Sequence, residues 1–176
     1  MATVIVVLLV PISDIALGHD HRRPKAVLKV EDETQKGRLV ESSWVRKTSP
    51  RLCTSTDTTS PFRFPEQALK AAPGSLVAVR LRKAQPPHDV NLQTWHRINR
   101  RGGGRGEPEI VPTTLVPRVR DDEVVAWDVQ FQPLDEKRHY YLLLEVHWDD
   151  EEGCGSPQPL DEGLWITFHL RATNLY

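Results

Sequence analysis

Two stretches near the C-terminal end set the terms for any fold this chain can adopt. Over residues 139–148, Tyr140, Leu142, Leu144, Val146 and Trp148 fall on every second position, and Leu164, Ile166, Phe168 and Leu170 do the same further on. Side chains alternate faces along a strand, so a two-residue period puts each set on one buried face. Val125, Trp127, Val129 and Phe131 repeat the pattern against Ala126, Asp128 and Gln130. A helix needs an apolar period of about 3.6 residues and caps, and no stretch beyond about one turn shows them.

The 14 prolines among 176 residues point the same way. Proline fixes φ and removes a backbone donor, which favours short elements with sharp connections. Further strands are expected at residues 26–31, 38–46, 75–82 and 90–98. Residues 109–119 read as an edge strand broken by Pro112 and Pro117. Residues 47–74 read as a long irregular connection, pinned to the core by Phe62, Phe64 and Leu69, with one helical turn over residues 65–72. That makes seven or eight short strands, without the crossover helices a parallel sheet requires. The expected fold is all-β: an immunoglobulin-like antiparallel β-sandwich over residues 26–176, with a small barrel as the alternative.

Composition excludes two classes. A mean hydropathy of −0.45 with 39% hydrophobic and 27% charged residues fits neither a multi-span membrane protein nor a highly charged disordered chain. Net charge is −1 but unevenly spread: residues 1–120 hold 20 Lys and Arg against 11 Asp and Glu, and residues 121–176 hold 3 against 13. Either the two halves attract each other inside one sandwich, or the basic part faces a polyanion. A net charge near zero supplies no long-range steering.

Residues 3–12 (TVIVVLLVPI) form an apolar run about half as long as a bilayer span needs. It has the length of a signal-peptide core, and Ala16-Leu17-Gly18 offers small residues for cleavage before His19. The expectation is a cleaved signal peptide over residues 1–18, a flexible tail over 19–25, and a secreted, periplasmic or extracellular mature chain without a membrane span. The same Val- and Ile-rich run also suits a buried first strand. Cys53 and Cys154, about 100 residues apart and both beside turn-forming residues, suit one disulfide in an exported domain, with free thiols as the alternative.

Three groups of residues carry candidate chemistry. With His19 as the mature N-terminus, its amine and imidazole chelate one metal, and His21 at the third position completes a square-planar nitrogen set suited to Cu(II) or Ni(II). His88, His96, His139 and His147 are open as further ligands. Arg97, Arg100, Arg101 and Arg105 surround three consecutive glycines in RINRRGGGRGE, which is neither a P-loop nor a dinucleotide fingerprint. As a binding element, this stretch suits a phosphate or an acidic cell-envelope polysaccharide rather than nucleic acid, and otherwise it is a solvated hairpin. Acidic runs at Asp121-Asp122-Glu123 and Asp149-Asp150-Glu151-Glu152 lack the spacing of a calcium loop. No Gly-x-Ser-x-Gly elbow or His-Glu-x-x-His motif is present, so the expectation is a non-enzymatic chain.

Gly37 through Ser43-Trp44, then Leu52-Cys53, then Ala72-Pro73-Gly74-Ser75-Leu76-Val77, together resemble small secreted bacterial immunoglobulin-like proteins of unknown function, over roughly residues 26–100. The chain departs from that pattern at Ser43, where the family has its first Cys, which leaves Cys154 as the replacement partner of Cys53. The resemblance implies fold and compartment and transfers no catalytic residue. His19 likewise resembles the mature N-terminus of extracytoplasmic copper-binding sandwich proteins. Together these readings suggest an interaction or accessory module of the cell envelope, with loops or exposed aromatics such as Trp165 as its contact surface. A copper-binding protein built on His19 is the alternative.

Overall fold

The computed structural model describes residues 23–49, 52–132, 139–149 and 161–173. Among these there is no helix, and twelve strands form two sheets. β1 (Ala26–Val30), β2 (Glu33–Lys36), β6 (Val77–Leu81), β9 (Thr114–Arg120) and β10 (Glu123–Phe131) make a five-stranded sheet in the order β2-β1-β6-β10-β9. The second sheet holds β3 (Arg38–Ser49), β4 (Leu52–Thr59), β5 (Leu69–Ala71), β7 (Asp89–Trp95), β8 (Glu109–Ile110), β11 (His139–Asp149) and β12 (Asp161–Ala172). Its order is β4-β3-β12-β11-β7-β8, with β5 on the end of β12. All pairings between these strands are antiparallel except that of β5 with β12.

The alternating residues build one shared core. Leu28 and Val30 of β1, Val77, Val79 and Leu81 of β6, and Val129 and Phe131 of β10 face Leu142, Leu144, Val146 and Trp148 of β11 and Leu164, Phe168 and Leu170 of β12. The chain moves from the first sheet to the second at Gly37, between β2 and β3. A Cβ on Gly37 would collide with Ile166 and would lie 2.7 Å from the Phe168 ring, so only glycine lets the backbone cross this close to the core.

Several elements differ from the sequence expectation, each for a local reason. The connection after residue 47 contains β4, whose Thr- and Ser-rich sequence has no apolar alternation but suits a pleated edge strand. In place of a helical turn, β5 buries Leu69 and Ala71 with Lys70 outward, running parallel to residues 170–172 of β12. Val125 is 45% exposed because a bulge between Val124 and Ala126 shifts the register of β10 against β9. Pro24, in the expected tail, is buried, and the Lys25 carbonyl accepts from the Arg82 amide at 3.1 Å. Asp121 and Asp122 close the β9–β10 hairpin with φ of 52° and 64°, so this acidic pair serves a turn. No helix among the described residues is long and apolar enough to cross a membrane.

Candidate functional site

Residues 60–68 run as a strap across the outer face of the seven-stranded sheet. Thr167 Oγ1 donates to the Arg63 carbonyl at 2.7 Å, the Phe64 amide donates to Gly102 O at 3.2 Å, and Gln35 Nε2 donates to Gln67 O at 2.6 Å. Phe64 is buried among aromatic rings, 5.3 Å from Tyr141 and 5.8 Å from Trp95, while Phe62 lies 5.9 Å from Trp95 and stays partly exposed. The strap explains why Thr167 and His169, on the polar side of the β12 alternation, are buried.

The arginine-glycine stretch continues this aromatic wall as a tight hairpin. Ile98 pairs with Gly104, the Arg105 amide donates to Arg97 O at 3.0 Å, and the Asn99 amide donates to Gly103 O at 2.8 Å. Asn99 organises the turn: its Oδ1 accepts from the Arg101 amide at 2.8 Å and the Gly103 amide at 3.2 Å. Gly104 lies flat on Trp95, where an added Cβ would be 2.5 Å from the indole, and Trp95 Nε1 donates to Gly106 O at 3.1 Å.

This arrangement brings the four sequence-predicted arginines together. Arg97 and Arg105 stand opposite each other at the base, Arg100 and Arg101 occupy the tip, and all four are exposed. Arg63 adds a fifth cation, its side chain running alongside Gly102. None of the five has an ion pair with another described residue. Like charges directly opposite in a ladder are destabilising. Elsewhere the fold neutralises such charge: buried Asp128 accepts from Arg80 at 2.8 and 3.1 Å and lies 3.1 Å from Arg118. That hydrogen bond holds the Arg80 guanidinium above its ordinary range despite desolvation.

Two flanks of the sheet pair are open. On one side a cleft is lined by Arg23, Lys25, Lys36 and Arg82. On the other, beside β8, a cavity of about 420 Å³ lies between the sheets. His88 and His147, named as open metal ligands, have rings 6.0 Å apart, and His147 Nε2 is 3.3 Å from Glu145 Oε1. Among the described residues, no three His, Cys, Asp or Glu side chains converge as a metal set. Trp165, expected as an exposed aromatic, is half-buried against the His147 ring at 5.1 Å. His19, His21 and Cys154 lie outside the described residues. So does the expected signal peptide over 1–18, and of Cys53 only the backbone, within β4, is described.

His139 and His169 form a second cluster that sequence reading missed, because they lie on different strands. His169 Nδ1 donates to Pro65 O at 3.0 Å, so its Nε2 accepts from His139 Nδ1 at 2.8 Å, and Tyr141 stacks on His169 at 4.4 Å. Burial lowers the His169 pKa below its usual 6.5, His139 adds to this, and the Pro65 and Glu66 backbone opposes it. A base with a depressed folded pKa takes up its proton more readily when unfolded. The contribution is therefore complete above about pH 6.5 and is lost as pH falls below it toward the folded pKa. The urea midpoint should drop between pH 7.5 and 5.5, and less so in His169→Gln. Equal drops in the two proteins would refute this assignment.

No protein-family model matches the chain, and no curated protein or solved structure does either. Function therefore has to be argued from the sites themselves.

Proposed function

We propose that the chain is a secreted, non-enzymatic immunoglobulin-like β-sandwich that binds an acidic polymer of the cell envelope through the hairpin over residues 97–106. One observation carries this reading: four exposed arginines, two of them directly opposed, share one hairpin without an ion pair to any described residue. An anion supplied from outside relieves that repulsion. Asn99 and Trp95 hold the hairpin in shape before any ligand arrives, which lowers the ordering cost of binding. Arginine also offers forked donors that match carboxylate, sulfate and phosphate groups. The apolar run over residues 3–12 supports export, which would bring the hairpin to envelope polysaccharides.

Heparin, as a model acidic polysaccharide, should bind with a steep inverse dependence on salt. Replacing Arg97, Arg100, Arg101 and Arg105 together by Gln should flatten the slope of log K against log salt by about three units. Because all four are exposed, the unfolding free energy from urea titration should stay within about 0.5 kcal/mol of wild type. An unchanged slope, or no binding by wild type at low salt, would remove the reading.

A further inference from the structure

We propose that the cavity beside β8 is a binding site for a small, mainly apolar molecule bearing a hydroxyl group. The cavity opens where the chain leaves the seven-stranded sheet after β8 and crosses to β9 in the five-stranded one. Pro112, in that crossing, has no N–H to donate, and β8 has only two residues, so the corner between the sheets stays open. Its volume of about 420 Å³ lies in the range of small-molecule sites.

The lining defines the ligand. Val111, Phe131 and the Tyr140 ring supply apolar walls. Ile110 and Leu76 stand at the rim 75% and 53% exposed, although a folded chain gains by burying residues of this size. Polar side chains interrupt the apolar surface, among them Thr94, His96 and Glu109. Thr94 lines the cavity from β7, on the inner face of its sheet, and its hydroxyl is withdrawn from water without a hydrogen-bond partner. An unpaired buried hydroxyl costs stability, and valine has nearly the same shape without that cost. His96 follows on the same side, its ring packed edge-on against Tyr140 at 5.1 Å. Its Nδ1 lies 3.0 Å from the His139 carbonyl, which only accepts, so Nδ1 carries the hydrogen. Its Nε2 lies 3.4 Å from a Glu109 carboxylate oxygen, so both ring nitrogens have partners in the protein. Thr94 is the buried polar group of this lining without a partner, and a ligand hydroxyl supplies one. With a small side-chain adjustment, the Thr94 hydroxyl accepts a hydrogen bond from that group or donates one to it. The site carries no nucleophile with an activating base, and the proposal is binding alone.

The test uses two probes of one shape, 2-naphthol and naphthalene, titrated into the whole protein by fluorescence. Wild type should bind 2-naphthol about tenfold or more tightly than naphthalene, the worth of a satisfied buried hydrogen bond. Thr94→Val should lose that advantage, keep its affinity for naphthalene, and raise the Tm of the ligand-free protein. Ile110→Asp, at an exposed rim position, should weaken both probes and leave the Tm unchanged. Equal affinity of wild type for the two probes overturns the proposal. So does a Thr94→Val protein that binds 2-naphthol as wild type does, or an Ile110→Asp protein that binds both probes normally.

Discussion

Gly37→Ala should cost roughly 3 kcal/mol and lower the Tm by about 10 °C, at the upper end of what overpacking a core does. The added methyl would collide with Ile166 and lie 2.7 Å from Phe168. Both neighbours are buried, and Phe168 has no exposed surface, so neither turns aside into solvent. Gly37 also sits at the crossing from β2 to β3, and its amide bonds to the Ala26 carbonyl at 3.3 Å. A shift of the backbone there would pull β3 from its register against β12. Gly74→Ala is the informative contrast. No neighbour lies within 4 Å of its added methyl, and its φ of 74° makes any loss conformational, about 1 kcal/mol. Equal losses in the two proteins would show that the packing at Gly37 is not what sets the cost.

Glu162→Gln should be comparably damaging for an electrostatic reason. Lys83 Nζ lies 2.8 Å from Glu162 Oε2, with side chains only 13% and 8% exposed. The ammonium also lies over two indoles, 4.5 Å from the centre of the Trp44 ring and 5.0 Å from that of Trp148. Removing the carboxylate charge leaves a nearly buried cation with a neutral partner, at a cost of about 3 kcal/mol. The indole faces keep the cost from running higher. Replacing both members, as Lys83→Met with Glu162→Leu, should restore most of the stability, because an apolar pair no longer carries an uncompensated charge. Urea midpoints of the single and double variants decide it. A single variant as stable as wild type, or a double variant no better than the single, would contradict this account.

Legibility in the sequence followed burial. β11 and the core side of β12 could be read directly, because the two sheets bury Leu142, Leu144, Val146, Leu164 and Phe168 on a strict two-residue period. β4 could not, because Thr56, Thr58 and Thr59 of an edge strand need no apolar face. Val125 was misplaced since a bulge breaks the period that a sequence pattern assumes is constant. The polar side of β12 read as solvent-facing because its cover, the strap through Phe64, comes from about 100 residues earlier. Thr167 meets the Arg63 carbonyl and His169 the Pro65 carbonyl only once the chain has folded.

The candidate site was legible in composition and not in construction. The four arginines and three glycines stood out, but nothing in the spacing assigned Asn99 to the turn or laid Gly104 against Trp95. An Asn five residues before a glycine of a Gly run, with Trp four before the Asn, is a signal that gains meaning only once the hairpin is seen. The cavity beside β8 was invisible, because Thr94 and His96 acquire their neighbours Phe131 and Tyr140 through packing of the two sheets and pairing between distant strands.

The most direct measurement is an amide and indole shift map of the ¹⁵N-labelled protein during titration with a short heparin oligosaccharide. Shifts should concentrate at residues 97–106, at Arg63 and at the Trp95 indole, and fade as salt is added. Shifts centred on the other basic surface, at Lys25, Lys36 and Arg82, or no shifts at low salt, would contradict binding at the hairpin.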